Sequence, residues 1–169
     1  MTRSEEFGEL EATIRATVRT CTEADLPALE WMGLYSRDRA IIRRVFEGQK
    51  RGEALMLVAV AAEFPIAQVW IDFGADGGWP PARFWAIRTF FPLQRAGIGR
   101  RMMHFAEEAT AARGVASAEL EVDSFNRDVL GFYRRLGWTV IAHPAPGRED
   151  GRFLLTKDLT RSTRRYTHA

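Results

Sequence analysis

The sequence predicts a mixed α/β domain, an α+β arrangement layered around one central sheet. Three observations carry that prediction. The segments read as β-α-α-β-β-β-α-β-α-β-β, with three strands in a row ahead of the central helix, so the strict alternation of a doubly wound fold is absent. The 169 residues, 46% hydrophobic and 27% charged, suit one globular domain. No apolar run approaches the roughly 18 residues that a membrane helix needs. The expected division is an arm over 1–15, a single domain over 16–160 and a polar tail over 161–169.

Each element follows from local pattern. Thr17-Val18-Arg19-Thr20-Cys21 alternates as a strand does. Thr22 has N-cap chemistry, with Glu23 and Asp25 in the first turn, and predicts a helix whose small or apolar face is Leu26, Leu29, Met32 and Gly33. A second helix over about 37–50 sets Ile41, Ile42, Val45 and Phe46 opposite Arg39, Arg43 and Arg44. Residues 53–62 and 66–73 read as strands joined by a turn at Glu63-Phe64-Pro65, hence a hairpin. A loop through Asp76-Gly77-Gly78 and Pro80-Pro81 leads to an aromatic strand over 83–91, ended by Pro92. Ile98, Met102, Phe105 and Ala109 mark one face of a helix over 98–113, with Arg100, Arg101, Glu107 and Glu108 outside it and Gly114 as its stop. A strand over 115–122, a helix over 126–136 closed by Gly137, a strand over 138–143, a loop over 144–151 and a last strand over 152–159 complete the order.

Composition narrows the function classes. One cysteine, Cys21, excludes an internal disulfide and a cysteine-rich zinc site, and fits a reducing cytoplasm. Met1-Thr2-Arg3-Ser4-Glu5-Glu6 has acids where a secretory signal would be apolar. The three histidines, His104, His143 and His168, have no metal-ligand spacing, so no metal is expected. Of the 24 basic residues only Lys50 and Lys157 are lysine. The net charge is nevertheless +2, and arginines alternate with acids, which disfavours nucleic acid as a partner.

The most informative stretch is Phe91-Pro92-Leu93-Gln94-Arg95-Ala96-Gly97-Ile98-Gly99-Arg100-Arg101, which joins a strand to a helix start. Two glycines one residue apart let a ligand approach the backbone, and the unpaired N–H groups of a helix's first turn attract phosphate. Arg95, Arg100 and Arg101 flank the turn with forked donors. Neither a P-loop nor the dinucleotide fingerprint fits, because no Gly-Lys-Ser/Thr follows and Met102 stands where a third glycine would fall.

Gln94-Arg95-Ala96-Gly97-Ile98-Gly99 resembles the Q/R-x-x-G-x-G/A motif of the GNAT superfamily of N-acetyltransferases. The segment from Asn126 through Leu130, Tyr133 and Gly137 to Trp138 resembles that family's N-x-x-A-x-x-F/L-Y-x-x-x-G-F stretch, departing at Leu130 and Trp138. Val18 to Leu26 is similar to the family's opening strand and helix, and only Leu93 lies between Pro92 and Gln94, where relatives often have two residues. The resemblance spans roughly 17–160.

That resemblance implies a mostly antiparallel sheet whose parallel strands, here 83–91 and 115–122, splay apart to admit acetyl-coenzyme A as co-substrate. It implies direct acetyl transfer to the primary amine of a small molecule in a ternary complex. Cofactor contacts would come from Phe90, Phe91, Gln94, Arg95, Ala96, Gly97, Ile98, Gly99, Arg100, Arg101, Asn126 and Tyr133. Backbone N–H groups near Phe90 or Phe91 would polarise the thioester carbonyl, Asn126 would cap its helix and meet the pantetheine arm, and Tyr133 would protonate the leaving thiolate. Many relatives have a glutamate on the strand before the glycine turn, and 83–91 has none. Asp72 and Glu121 are the candidate bases, with Glu119 and Asp123 on the same face as Glu121. Trp31 and Trp79 would line the acceptor site, where Glu30, Asp38 and Glu47 would suit a cationic amine. Two alternatives stay open: a non-catalytic acyl-CoA-binding module, and a homodimer.

Overall fold

A computed structural model describes residues 8–74, 81–145 and 151–160. Trp79, the tail 161–169 and most of the 76–80 and 144–151 loops lie outside the described residues. Residues 8–16 carry no helix or strand. The architecture is a seven-stranded mixed sheet with helices on both faces. In chain order the elements are β1 (Thr17–Thr20), α1 (Arg39–Lys50), β2 (Ala54–Ala61), β3 (Phe64–Asp72), β4 (Ala82–Thr89), α2 (Ile98–Ala112), β5 (Ser117–Asp123), α3 (Arg127–Arg135), β6 (Thr139–Ala142) and β7 (Arg152–Asp158). The spatial order is β1-β2-β3-β4-β5-β7-β6. Neighbours are antiparallel except β4 and β5, which run parallel.

The β2–β3 hairpin follows from two apolar runs, but its turn is Ala62-Glu63 rather than Glu63-Phe64-Pro65. Both turn residues are left-handed, at φ 46° and 64°, as a two-residue hairpin of matching twist requires. Pro65 lies inside β3 at a register shift, where the missing N–H breaks no regular rung.

The helix expected after Thr22 is instead three short 3₁₀ turns, at Glu23–Asp25, Ala28–Glu30 and Ser36–Asp38. Leu26 and Leu29 are buried as a helix face would be, yet Met32 is 79% exposed. Asp25 explains the short first turn. Its carboxylate accepts both Arg19 guanidinium nitrogens (2.7 and 2.8 Å), the Thr22 N–H (2.7 Å) and the Thr22 hydroxyl (2.8 Å). The Arg19 hydrogen bonds dominate and hold this carboxyl down at about 2.

The sheet separates two cores. Leu57, Val69, Phe84, Leu120 and Leu155 face α2 and α3 and pack with Met102, Met103, Leu130 and Trp138. Met56, Val58 and Trp70 face α1 and pack with Cys21, Leu29, Ile42 and Phe46. Burial pushes the Cys21 thiol up to about 12, so it is an apolar filler, not a nucleophile.

Glu107 does not lie outside the apolar face of α2; it is 5% exposed. Its carboxylate accepts the Trp138 indole N–H (3.0 Å) and the Lys157 ammonium (2.7 Å), and Lys157 also donates to the Leu136 carbonyl (2.6 Å). A buried acid is tolerable only with such partners.

Two stability tests follow from these carboxylates. Glu107→Ala strands the Lys157 charge and lowers unfolding free energy by about 3–5 kcal/mol, read from the denaturant midpoint. The low Asp25 value contributes stability that is present above the unfolded carboxyl range and lost as pH falls from about 4 to about 2. Asp25→Asn flattens the acid limb of a stability–pH curve over that window and costs about 2 kcal/mol at pH 7.

Candidate active site

β4 and β5 pair only at Ala82↔Ala118 and Arg83↔Glu119, and then part. Beyond Arg83 the backbone groups that β4 turns toward β5 have no strand partner. The opening holds a cavity of about 440 Å³. Its walls come from both faces of the sheet: Phe84, Asn126, Val129 and Tyr133 from the α2/α3 side, and Arg83, Trp85, Arg88, Glu121, Asp123 and Arg152 from the other. A bulge sets the shape of the β4 wall. The register passes from Gln68↔Arg88 to Trp70↔Trp85, one residue longer on β4, and Ala86 there is left-handed at φ 46°.

At the end of β4, Phe90 and Phe91 leave the strand for a short 3₁₀ turn, Phe91–Leu93. The Phe90 N–H donates to the Ile66 carbonyl at 2.8 Å, so it does not serve as the expected thioester donor. The Phe90 ring packs edge-on to Trp31 and Phe64, while Phe91 is 77% exposed. Ala86 and Ile87, on the cavity wall, are the backbone the sequence did not single out. Gln94 ties the turn to β4 by donating from Nε2 to the Thr89 carbonyl at 3.2 Å.

Arg95 (φ 64°) and Gly97 (φ 79°) are both left-handed, and Gly97 is the N-cap of α2. The helical ladder begins with Arg101 N–H on the Gly97 carbonyl, which leaves the N–H groups of Ile98, Gly99 and Arg100 outside it. Gly99 is not demanded by packing. A Cβ there would sit 3.7 Å from Phe132 and from Thr89 Oγ1, an ordinary contact. Ala96 and the side chains of Arg95, Arg100 and Arg101 are exposed, with no acidic partner among the described residues.

Asn126 caps α3, its Oδ1 accepting the Val129 N–H at 3.4 Å, and lines the cavity. Tyr133 is 6% exposed, and burial raises its phenol above the ordinary value, so it stays protonated through neutral pH. The candidate bases separate. Glu121 reaches the cavity, held by Arg152 (3.0 Å) and Arg83 (3.6 Å). Asp72 accepts the Gly74 N–H (2.8 Å) away from the cavity wall. The acids expected to attract a cation are all paired: Glu30 with Arg39, Asp38 with Arg88 (3.2 Å) and Glu47 with Lys50 (3.0 Å).

The sequence model of the acetyltransferase (GNAT) family matches residues 25–138. The chain belongs to that family. No curated protein sequence matches it. Solved structures share the family's fold. The PaiA N-acetyltransferase of Thermoplasma acidophilum in complex with coenzyme A superposes with a TM-score of 0.68 at 17% identity, over 85% of this chain and 99% of that one. A Vibrio cholerae/human chimera of the spermidine N-acetyltransferase SpeG gives 0.72 at 15% identity, over 89% and 99%. An aminoglycoside 6'-acetyltransferase type Ii gives 0.67 at 17% identity, over 85% and 97%.

The two glycines of the turn separate in a stability measurement. Gly97→Ala forces a left-handed alanine and costs about 1–2 kcal/mol. Gly99→Ala keeps or raises the denaturation midpoint, because alanine is favoured over glycine in a helix by about 1 kcal/mol.

Proposed function

We propose that the protein transfers an acetyl group from acetyl-CoA to the primary amine of a small molecule, by direct attack in a ternary complex. The observation that carries this reading is the parting of β4 and β5. It leaves one cavity open to both sheet faces, with the bare N-terminus of α2 beyond β4 and Tyr133 in the wall. The pyrophosphate lies on the N–H groups of Ile98, Gly99 and Arg100, with Arg95, Arg100 and Arg101 around it. The pantetheine arm runs between the strands, hydrogen-bonding the edge of β4 and Asn126. The bulge at Ala86 and Ile87 supplies the N–H that polarises the thioester carbonyl.

The amine nitrogen attacks that carbonyl carbon, the new C–N bond forms and the C–S bond breaks. Tyr133 gives its phenolic proton to the departing sulfur and is reprotonated from solvent. The amine's proton leaves through water to Glu121, the one of the two candidate bases on the cavity wall. Holding amine and thioester together supplies much of the acceleration, since oriented groups reach effective molarities of about 10⁵ M or more. The rival reading, an acyl-CoA-binding module without catalysis, is favoured only by the missing strand glutamate.

A thiol-release assay with acetyl-CoA and an amine panel separates the two. Tyr133→Phe is expected to lower kcat about 10²-fold while calorimetry gives an unchanged acetyl-CoA Kd. Acetyl-CoA bound with no thiol released from any amine would establish the module instead.

A further inference from the structure

Among the described residues, four buried side-chain polar atoms have no hydrogen-bond partner: Trp31 Nε1, Gln68 Oε1, Trp70 Nε1 and Arg88 Nη1. A buried polar atom without a partner is destabilising unless something satisfies it. They are not scattered. Gln68 and Arg88 are opposite one another in the β3–β4 register, and Trp70 is two residues along the same face of β3. Arg88 stacks on Tyr35 at 3.9 Å from the ring centroid, and Trp31 packs against the same Tyr35 ring at 5.5 Å. The main chain at Trp31, Met32 and Gly33 is left-handed at three successive residues, a strained turn that delivers the Trp31 indole to this place.

Arg88 is the member that reaches the cavity. One nitrogen, Nη2, is fixed by Asp38 at 3.2 Å, and the plane is fixed by Tyr35. The other nitrogen, Nη1, is buried and has no hydrogen-bond partner. The rest of the wall does not invite a polycation. Its two acids, Glu121 and Asp123, are both held by Arg152, and Arg83 also reaches Glu121.

We propose that the acceptor amine also carries a carboxylate, and that Arg88 is the residue that selects it. The Arg88 guanidinium, oriented by Asp38 and Tyr35, donates to the carboxylate from the cavity wall. Arg88 follows the Ala86–Ile87 bulge by one residue, so amine and carboxylate stand close together, as in an amino acid. This inference rests on the acetyl-transfer reading above.

The test compares kcat/KM by thiol release for free amino acids, the same amino acids as C-terminal amides, their decarboxylated amines, spermidine and an aminoglycoside. The unmodified protein should prefer the best acid over its amide and its decarboxylated amine by about 10²-fold, as a site built for one polar group rejects analogues that lack it. Arg88→Gln should bring that ratio close to one while the acetyl-CoA Kd, measured by calorimetry, stays unchanged. Spermidine or the aminoglycoside used as well as any acid, an acid-to-amide ratio near one, or a ratio that survives Arg88→Gln would each overturn the inference while acetyl transfer stands. Failure to bind acetyl-CoA would instead overturn the acetyl-transfer reading, and this inference with it.

Discussion

Two rungs of parallel pairing, Ala82↔Ala118 and Arg83↔Glu119, join one half of the sheet to the other. A sheet that parted there without further support would hinge. What replaces the missing rungs is side-chain chemistry: α2 packs on the first half, and its Glu107 grips Trp138 and Lys157 of the second. Phe84 of β4 meets the Trp138 ring edge-on at 5.5 Å and completes the join. The gap survives because a buried charge pair and an aromatic contact do, at a distance from it, what hydrogen-bonded rungs would do by closing it.

The electrostatics follow the same economy of pairing. Arginines 19, 39, 43, 51, 83, 88 and 152 all have acidic partners. Those of the glycine turn have none among the described residues, and they surround the start of α2, where unpaired N–H groups already concentrate positive potential. A near-neutral chain thus presents a local cationic surface at the start of α2.

Legibility in the sequence tracked the range of the interactions. The β2 and β3 runs stood out because both faces are buried, and α2 and α3 because apolar period and terminal glycine agree. The helix start at Gly97 and the Asn126 cap were legible because each acts through its own few neighbours, whereas Tyr133 was singled out only by the motif resemblance. Residues 22–38 were not, since Leu26, Leu29 and Trp31 fill the core from short turns with no period to read. Glu107 looked like a surface acid because the lysine that satisfies it is fifty residues away. Arg88 escaped for the same reason: Asp38, again fifty residues off, and Gln68 meet it only through strand register.

The division of the interior into two cores by one sheet has a consequence for how such a chain can change. Substitutions on the α1 side touch Trp31, Tyr35, Gln68 and their neighbours, while those on the α2/α3 side touch the helices that frame the glycine turn. Sites with no shared contacts perturb stability additively, and sites within one packed cluster do not. Across the sheet, then, epistasis should be weak, and within either layer strong. Substitutions in the α1 layer can then accumulate with little effect on the packing of the layer that carries Tyr133 and the glycine turn.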